Sequence, residues 1–311
     1  MKRFDPSKLD IFLFITTFLF AAASLACDPR GGNAQKPQRH RGNKLFHPAL
    51  FFKTPTFIFA GMIKLLLTST GVINESMRAA LAELLGKPIS EAEALFVPTG
   101  VYPYVGGANY AWWPIAGKLQ SNLVGLGWKS MGLLELTALQ SIRREVWLPS
   151  IQNADALLVW GGDPIYLAYW FEQSGLGDVL KSLDKDLVYV GVSAGSIVTS
   201  AIIGETYGEP LGGSGTPLTS EKIIFNTADG EISKDFLTAK EIGLIDFAII
   251  PHYKNPGFPD TSEANAAIWA ARLPVPVYAI DEHTAVKYVD GEIEIVSEGD
   301  WKLFENKPAK T

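Results

Sequence analysis

A chain of 311 residues, 47% of them hydrophobic, is long enough for one large core plus an appendage. Its formal net charge is −6, and no basic face or basic run with interleaved aromatics appears in the globular part, which argues against nucleic acid as a partner. A single cysteine, Cys27, excludes an internal disulfide and a thiolate zinc cluster.

Residues 1–61 read as a leader. Lys2, Arg3 and Lys8 precede an uncharged apolar run from Ile11 to Ala26, with small residues at Ser24 and Ala26. The run is shorter than the roughly 20 residues of a transmembrane helix and has the pattern of a secretory signal. Membrane association through residues 11–26 is one reading, and the protein would then be exported or anchored. Ser24 stands where a lipoprotein site has leucine, and Asp5 and Asp10 interrupt the basic start. Residues 28–60 lack periodicity and read as linker. Met62 lies just before the first strand signal, so a start there, giving a cytoplasmic protein, is the other reading. The globular domain is 62–311.

From Met62 onward, strand and helix signals alternate. "MIKLLLTST" is a buried-strand run, and Asn74 caps a helix over "ESMRAALAELLG" that Gly86 stops. "EALFVPTG" predicts a strand and "NYAWWPIAGKLQSNLVGLG" a helix, weakened by Pro114. "LLELTAL" predicts a strand, "SIRREVWLPSIQ" a helix, "DALLVWGG" a strand and "PIYLAYWFEQSGLGDVLKSL" a helix. "DLVYVGV" is a strand, and a helix follows Ser193. After residue 245, "DFAIIPHY" is a strand, "SEANAAIWAARL" a helix, and the remainder short strands with a hairpin turn at Asp290-Gly291. The alternation predicts an α/β fold: a doubly wound, mostly parallel sheet with a C-terminal β-hairpin region. Ligands in such sheets bind beyond the carboxyl ends of the strands.

The stretch "LVYVGVSAGSIVTS" places Ser193 between two glycines where a strand turns into a helix. Such a G-x-S-x-G bend projects a hydroxyl from the top of the sheet, and amides beyond it favour developing negative charge. A hydroxyl nucleophile needs a base. His40 and His47 fall in the linker, whereas His252 ends the strand "FAIIPHY". Neighbours in an extended segment face opposite ways, so Glu282 and His283 cannot both face the site. Pairing Ser193 and His252 with Glu282 brings together three strand ends. Gly162, Asp163 and Ala194 are candidate oxyanion-hole residues through their backbone amides. Tyr102 and Tyr104 are placed for substrate contact, while the tryptophans at helical spacing, such as Trp147 and Trp170, read mainly as core.

These pieces together resemble the aspartyl dipeptidase (dipeptidase E) serine peptidases, with cyanophycinase as a relative. The matching segments are "KLLLTST", "GGDP", "GVSAGS", "IIPHY" and "YAIDEHTAV", in family order over residues 62 to about 305. The resemblance implies the flavodoxin-like fold of class I glutamine amidotransferase domains, with serine in place of their cysteine. It implies Ser193 as nucleophile, His252 as base and then acid, and Glu282 as orienting acid, with Glu209 as the alternative acid. It also implies a small peptide as substrate, and the chemistry needs no metal or organic cofactor. The helix beginning "TSEANAAI" has no arginine before Arg272, so the family's preference for N-terminal aspartate does not carry over. Two other readings stay open. One is an α/β-hydrolase-type esterase with His283 as base and Asp246 or Asp260 as acid. The other is a non-catalytic small-ligand-binding domain.

Overall fold

The computed structural model describes residues 63–208 and 211–306. The leader with its apolar run 11–26, Cys27, His40, His47, Met62 and Glu209 lie outside the described residues. Among the described residues, no helix is long and apolar enough to cross a membrane.

The chain opens with β1 (Ile63–Thr68) and α1 (Glu75–Leu85). Asn74 caps α1 by accepting the Met77 amide, and Gly86 closes it in the left-handed conformation. Next come β2 (Glu93–Val97), α2 (Gly107–Trp112), β3 (Ser130–Leu133) and α3 (Leu136–Leu139). Then follow α4 (Arg144–Asn153), β4 (Ala156–Val159), α5 (Pro164–Ser174), α6 (Leu176–Lys181), β5 (Leu187–Val192) and α7 (Ala194–Ile197). The strands β6 (Ile202–Tyr207), β7 (Thr219–Thr227) and β8 (Gly230–Lys240) precede β9 (Ala248–Ile250) and α8 (Glu263–Ala270). The described part ends with β10 (Val277–Ile280), β11 (Thr284–Val289), β12 (Glu292–Ser297) and β13 (Trp301–Phe304).

A seven-stranded sheet in the order β12-β11-β1-β5-β4-β2-β3 forms the centre. Its five strands from β1 to β3 in that order are parallel, and β11 and β12 extend it antiparallel. Alternate residues of the parallel strands feed two cores. Leu65, Val97, Val159 and Tyr189 pack on the side of α4, α5 and α6, while Leu66, Phe96, Leu158 and Val190 pack on the side of α1. This is the doubly wound, mostly parallel α/β architecture expected, and the C-terminal hairpin turns at Asp290-Gly291, both with positive φ. Two smaller sheets complete the fold: β13-β10-β9, and the antiparallel ribbon β6-β8-β7. A third core joins them to α8 through Phe225, Phe236, Ile250 and Trp269.

Several expected elements differ. The helix expected over 109–127 is only α2, since Pro114 has no amide to continue it. The segment "LLELTAL" is a strand end followed by α3, because the Glu135 side chain caps that turn and also accepts the Thr99 hydroxyl at 2.7 Å. The helix expected from Pro164 is two helices, broken at Gly175 with φ 71°. The helix after Ser193 is a single turn. The ribbon β6–β8 was not anticipated.

Candidate active site

The elbow follows β5. Ser193 has φ 49° and ψ −113°, a conformation that L residues rarely adopt. A methyl at Gly195 would fall 2.2 Å from Val159 O, and one at Gly191 2.7 Å from Gly195 O. Both positions therefore require glycine, because the turn folds back onto β4 and onto itself. The Ser193 amide donates to Thr68 O at 2.9 Å, and the Ser196 hydroxyl both donates to Thr68 O at 2.7 Å and accepts the Thr68 amide at 2.9 Å. The strain is thus held by β1.

His252 follows β9, and its Nε2 lies 3.2 Å from Ser193 Oγ. Its Nδ1 lies 2.9 Å from Glu282 Oε1, just beyond β10. Three strand ends therefore converge, but from two sheets rather than one. Buried Ser69 at the end of β1 joins the sheets: its hydroxyl accepts the His252 amide at 3.0 Å and donates to Ile280 O at 2.9 Å. The imidazole stacks on Phe258 at 4.0 Å between ring centroids, nearly parallel. Asn255 Nδ2 also donates to Glu282 Oε1. Partial burial pushes the Glu282 carboxyl up, but the bonds to His252 and Asn255 outweigh it and hold it below the usual range.

The oxyanion-hole candidates divide. Gly162 borders the cavity beside Ser193, and a methyl there would fall 2.1 Å from Gly100 O. The Gly162 and Ala194 amides find no acceptor among the described residues. The Asp163 amide, by contrast, donates to Gly100 O at 2.8 Å. Asp163 therefore departs from the expected donor role. It caps α5 instead, accepting the Ile165 and Tyr166 amides and the Tyr207 hydroxyl. The expected help from a helix dipole also shrinks, since α7 is one turn.

A model described as peptidase family S51 matches residues 65–296. The chain belongs to peptidase family S51. It is thereby a serine-type peptidase. No curated protein matches the chain. Two solved structures are similar to it. One is of a protein described as a peptidase E from Listeria monocytogenes EGD-e, at 17% identity and TM-score 0.45, covering 77% of this chain and 100% of that one. The other is of a peptidase from an acI-B1 actinobacterium, at 16% identity and TM-score 0.42, covering 80% of this chain and 97% of that one.

In this S51 peptidase the cavity at Ser193 has a volume of about 170 Å³. Its far wall comes from the unanticipated ribbon: Glu205 and Tyr207 of β6, and Lys234 of β8, with Asp260 beside them. Tyr104 reaches the cavity as expected, but the Tyr102 hydroxyl donates to Glu135 at 2.8 Å and its ring does not line the cavity. His283 is exposed and its amide donates to Asp281, and Asp246 is exposed. Asp260 is buried in an ion pair with Lys234 at 2.6 Å. None of the three meets the others as an esterase triad would require. Asp281 accepts the His283 and Asp300 amides and the Thr284 hydroxyl, a structural use for the "DEH" run. Arg272 pairs with Glu221 away from the cavity.

Sequence reasoning missed Ser69, Asn255, Phe258, Glu205 and Lys234. Only the hairpin around Lys234 had a readable signal: "IIFNTADGEISKDF" alternates apolar and polar residues around Asp229-Gly230, and nothing in that run marks Glu205.

Proposed function

We propose that this serine-type peptidase hydrolyses short peptides, or a related small amide, with Ser193 as nucleophile, His252 as base and then acid, and Glu282 as orienting acid. The observation that carries the reading is the continuous contact Ser193 Oγ–His252 Nε2–His252 Nδ1–Glu282 Oε1, at 3.2 and 2.9 Å. Glu282 accepts from Nδ1–H, which leaves Nε2 unprotonated and facing the hydroxyl. As Ser193 attacks the carbonyl, Nε2 takes its proton, and the carboxylate stabilises the imidazolium. In this reading the amides of Gly162 and Ala194, which have no acceptor among the described residues, receive the oxyanion. Nε2 then passes the proton to the leaving amine. A water repeats the sequence on the acyl-enzyme and regenerates Ser193.

The small cavity favours short substrates over folded chains. The test is a screen of dipeptides and acyl-peptides with wild type and Ser193→Ala. Turnover of short peptides by wild type alone supports the reading. Turnover that survives Ser193→Ala contradicts it.

A further inference from the structure

The far wall of the cavity carries charge that acyl transfer does not use. Asp260 is occupied by Lys234 Nζ at 2.6 Å and by the Thr206 hydroxyl, so that acid and base offset each other. Glu205 is different. Its Oε1 accepts only the Thr206 amide, at 2.8 Å, and Oε2 has no protein donor among the described residues. It is half-buried and shares the cavity with Ser193 and His252. Among the described residues the groups around it are Asp260, Asp163 and the hydroxyls of Tyr104 and Tyr207, with Lys234 the one cation. Burial, with the two aspartates, pushes its carboxyl up to about 8, against the Thr206 hydrogen bond and Lys234.

Resting on the peptidase reading, we propose that Glu205 is a specificity-determining residue that receives an ammonium group of the substrate. The substrate class is then short peptides bearing a primary amine near the scissile bond, either at the N-terminus or on a lysine-like side chain. An anionic side chain is disfavoured, since Lys234, the one cation near Glu205 among the described residues, is already paired with Asp260. A guanidinium is disfavoured too, because one open carboxylate oxygen in a small cavity suits a compact point charge better than a planar fork. Below about pH 8 an empty Glu205 holds a proton that an ammonium displaces. Binding therefore releases a proton and strengthens by up to about tenfold per pH unit between pH 6 and 7.

The experiment is calorimetric binding to Ser193→Ala, which needs no turnover and so fails separately from the peptidase reading. The probes are Ala-Ala, N-acetyl-Lys-Ala, N-acetyl-Ala-Ala and N-acetyl-Asp-Ala, each in buffers of differing ionisation enthalpy. The expected result is that Ala-Ala or N-acetyl-Lys-Ala binds at least about tenfold more tightly than N-acetyl-Ala-Ala, with proton release. Which of the two does so separates the α-amine from the side-chain amine. Adding Glu205→Gln should abolish both the preference and the proton release. Equal or tighter binding of N-acetyl-Ala-Ala or N-acetyl-Asp-Ala, no proton release, or no binding of either ammonium ligand overturns the proposal. Should Glu205→Gln not fold, proton release in Ser193→Ala alone decides.

Discussion

The two walls of the cavity are built on different principles. The elbow wall is backbone: Ser193 is forced into position by glycines that touch carbonyls of β4 and of the turn itself, and by hydrogen bonds to β1. The ribbon wall is side chain: Glu205, Lys234 and Asp260 project from antiparallel strands and the loop before α8. A reaction needs the first kind of wall, since attack geometry tolerates little displacement. A substrate preference can be set by the second.

Breaking the elbow wall should cost most. Ser193→Ala is expected to lower kcat by about 10⁴–10⁶-fold with little change in fold, measured by steady-state kinetics and circular dichroism. Glu282→Gln should cost about 10³-fold in kcat, because an amide can hold the imidazole in the wrong tautomer. Its activity against pH, compared with wild type, checks that origin. Gly195→Ala should destabilise by about 3 kcal/mol or more in denaturant unfolding, since its methyl meets the Val159 carbonyl at 2.2 Å.

The ribbon wall should respond differently. The Glu205 carboxyl is raised from 4.5 to about 8 in the fold, so its protonated form is favoured there. Its contribution to stability is fully present below pH 4.5 and is lost as pH rises toward 8. Glu205→Gln should remove that loss and stabilise the protein by about 2 kcal/mol at pH 8, and much less at pH 5, in melts at the two pH values. Smallest is the link between sheets. Ser69→Ala should lower kcat by about tenfold with KM nearly unchanged, because the hydroxyl positions His252 rather than touching substrate. A larger change in KM than in kcat would place Ser69 in the substrate site instead.

The same division explains what the sequence could reveal. The elbow was legible because its chemistry is written in neighbouring residues: strand, Gly, Ser, Gly in one short run. The meeting of His252 with Ser193 and Glu282 was legible because His252 and Glu282 each end an apolar strand. The ribbon wall was not, since Glu205, Lys234 and Asp260 lie far apart in the chain and each looks like an ordinary surface charge until β6, β8 and the loop before α8 bring them together. Local reading also overstated helices. It could not see that one turn after Ser193 suffices once β1 holds the elbow, or that Glu135 caps α3 where apolar residues suggested a strand. Asp163 shows the converse error: its amide looked available in a glycine turn, but the neighbouring loop at Gly100 takes it.

The central claim is that Ser193 is activated by His252, and covalent labelling tests it most directly. Incubation of folded protein with a fluorophosphonate, followed by peptide mass spectrometry, should place the adduct on Ser193, with labelling at least about 10²-fold slower in His252→Ala. Label on another residue, no label on folded wild type, or an unchanged rate in His252→Ala would contradict it.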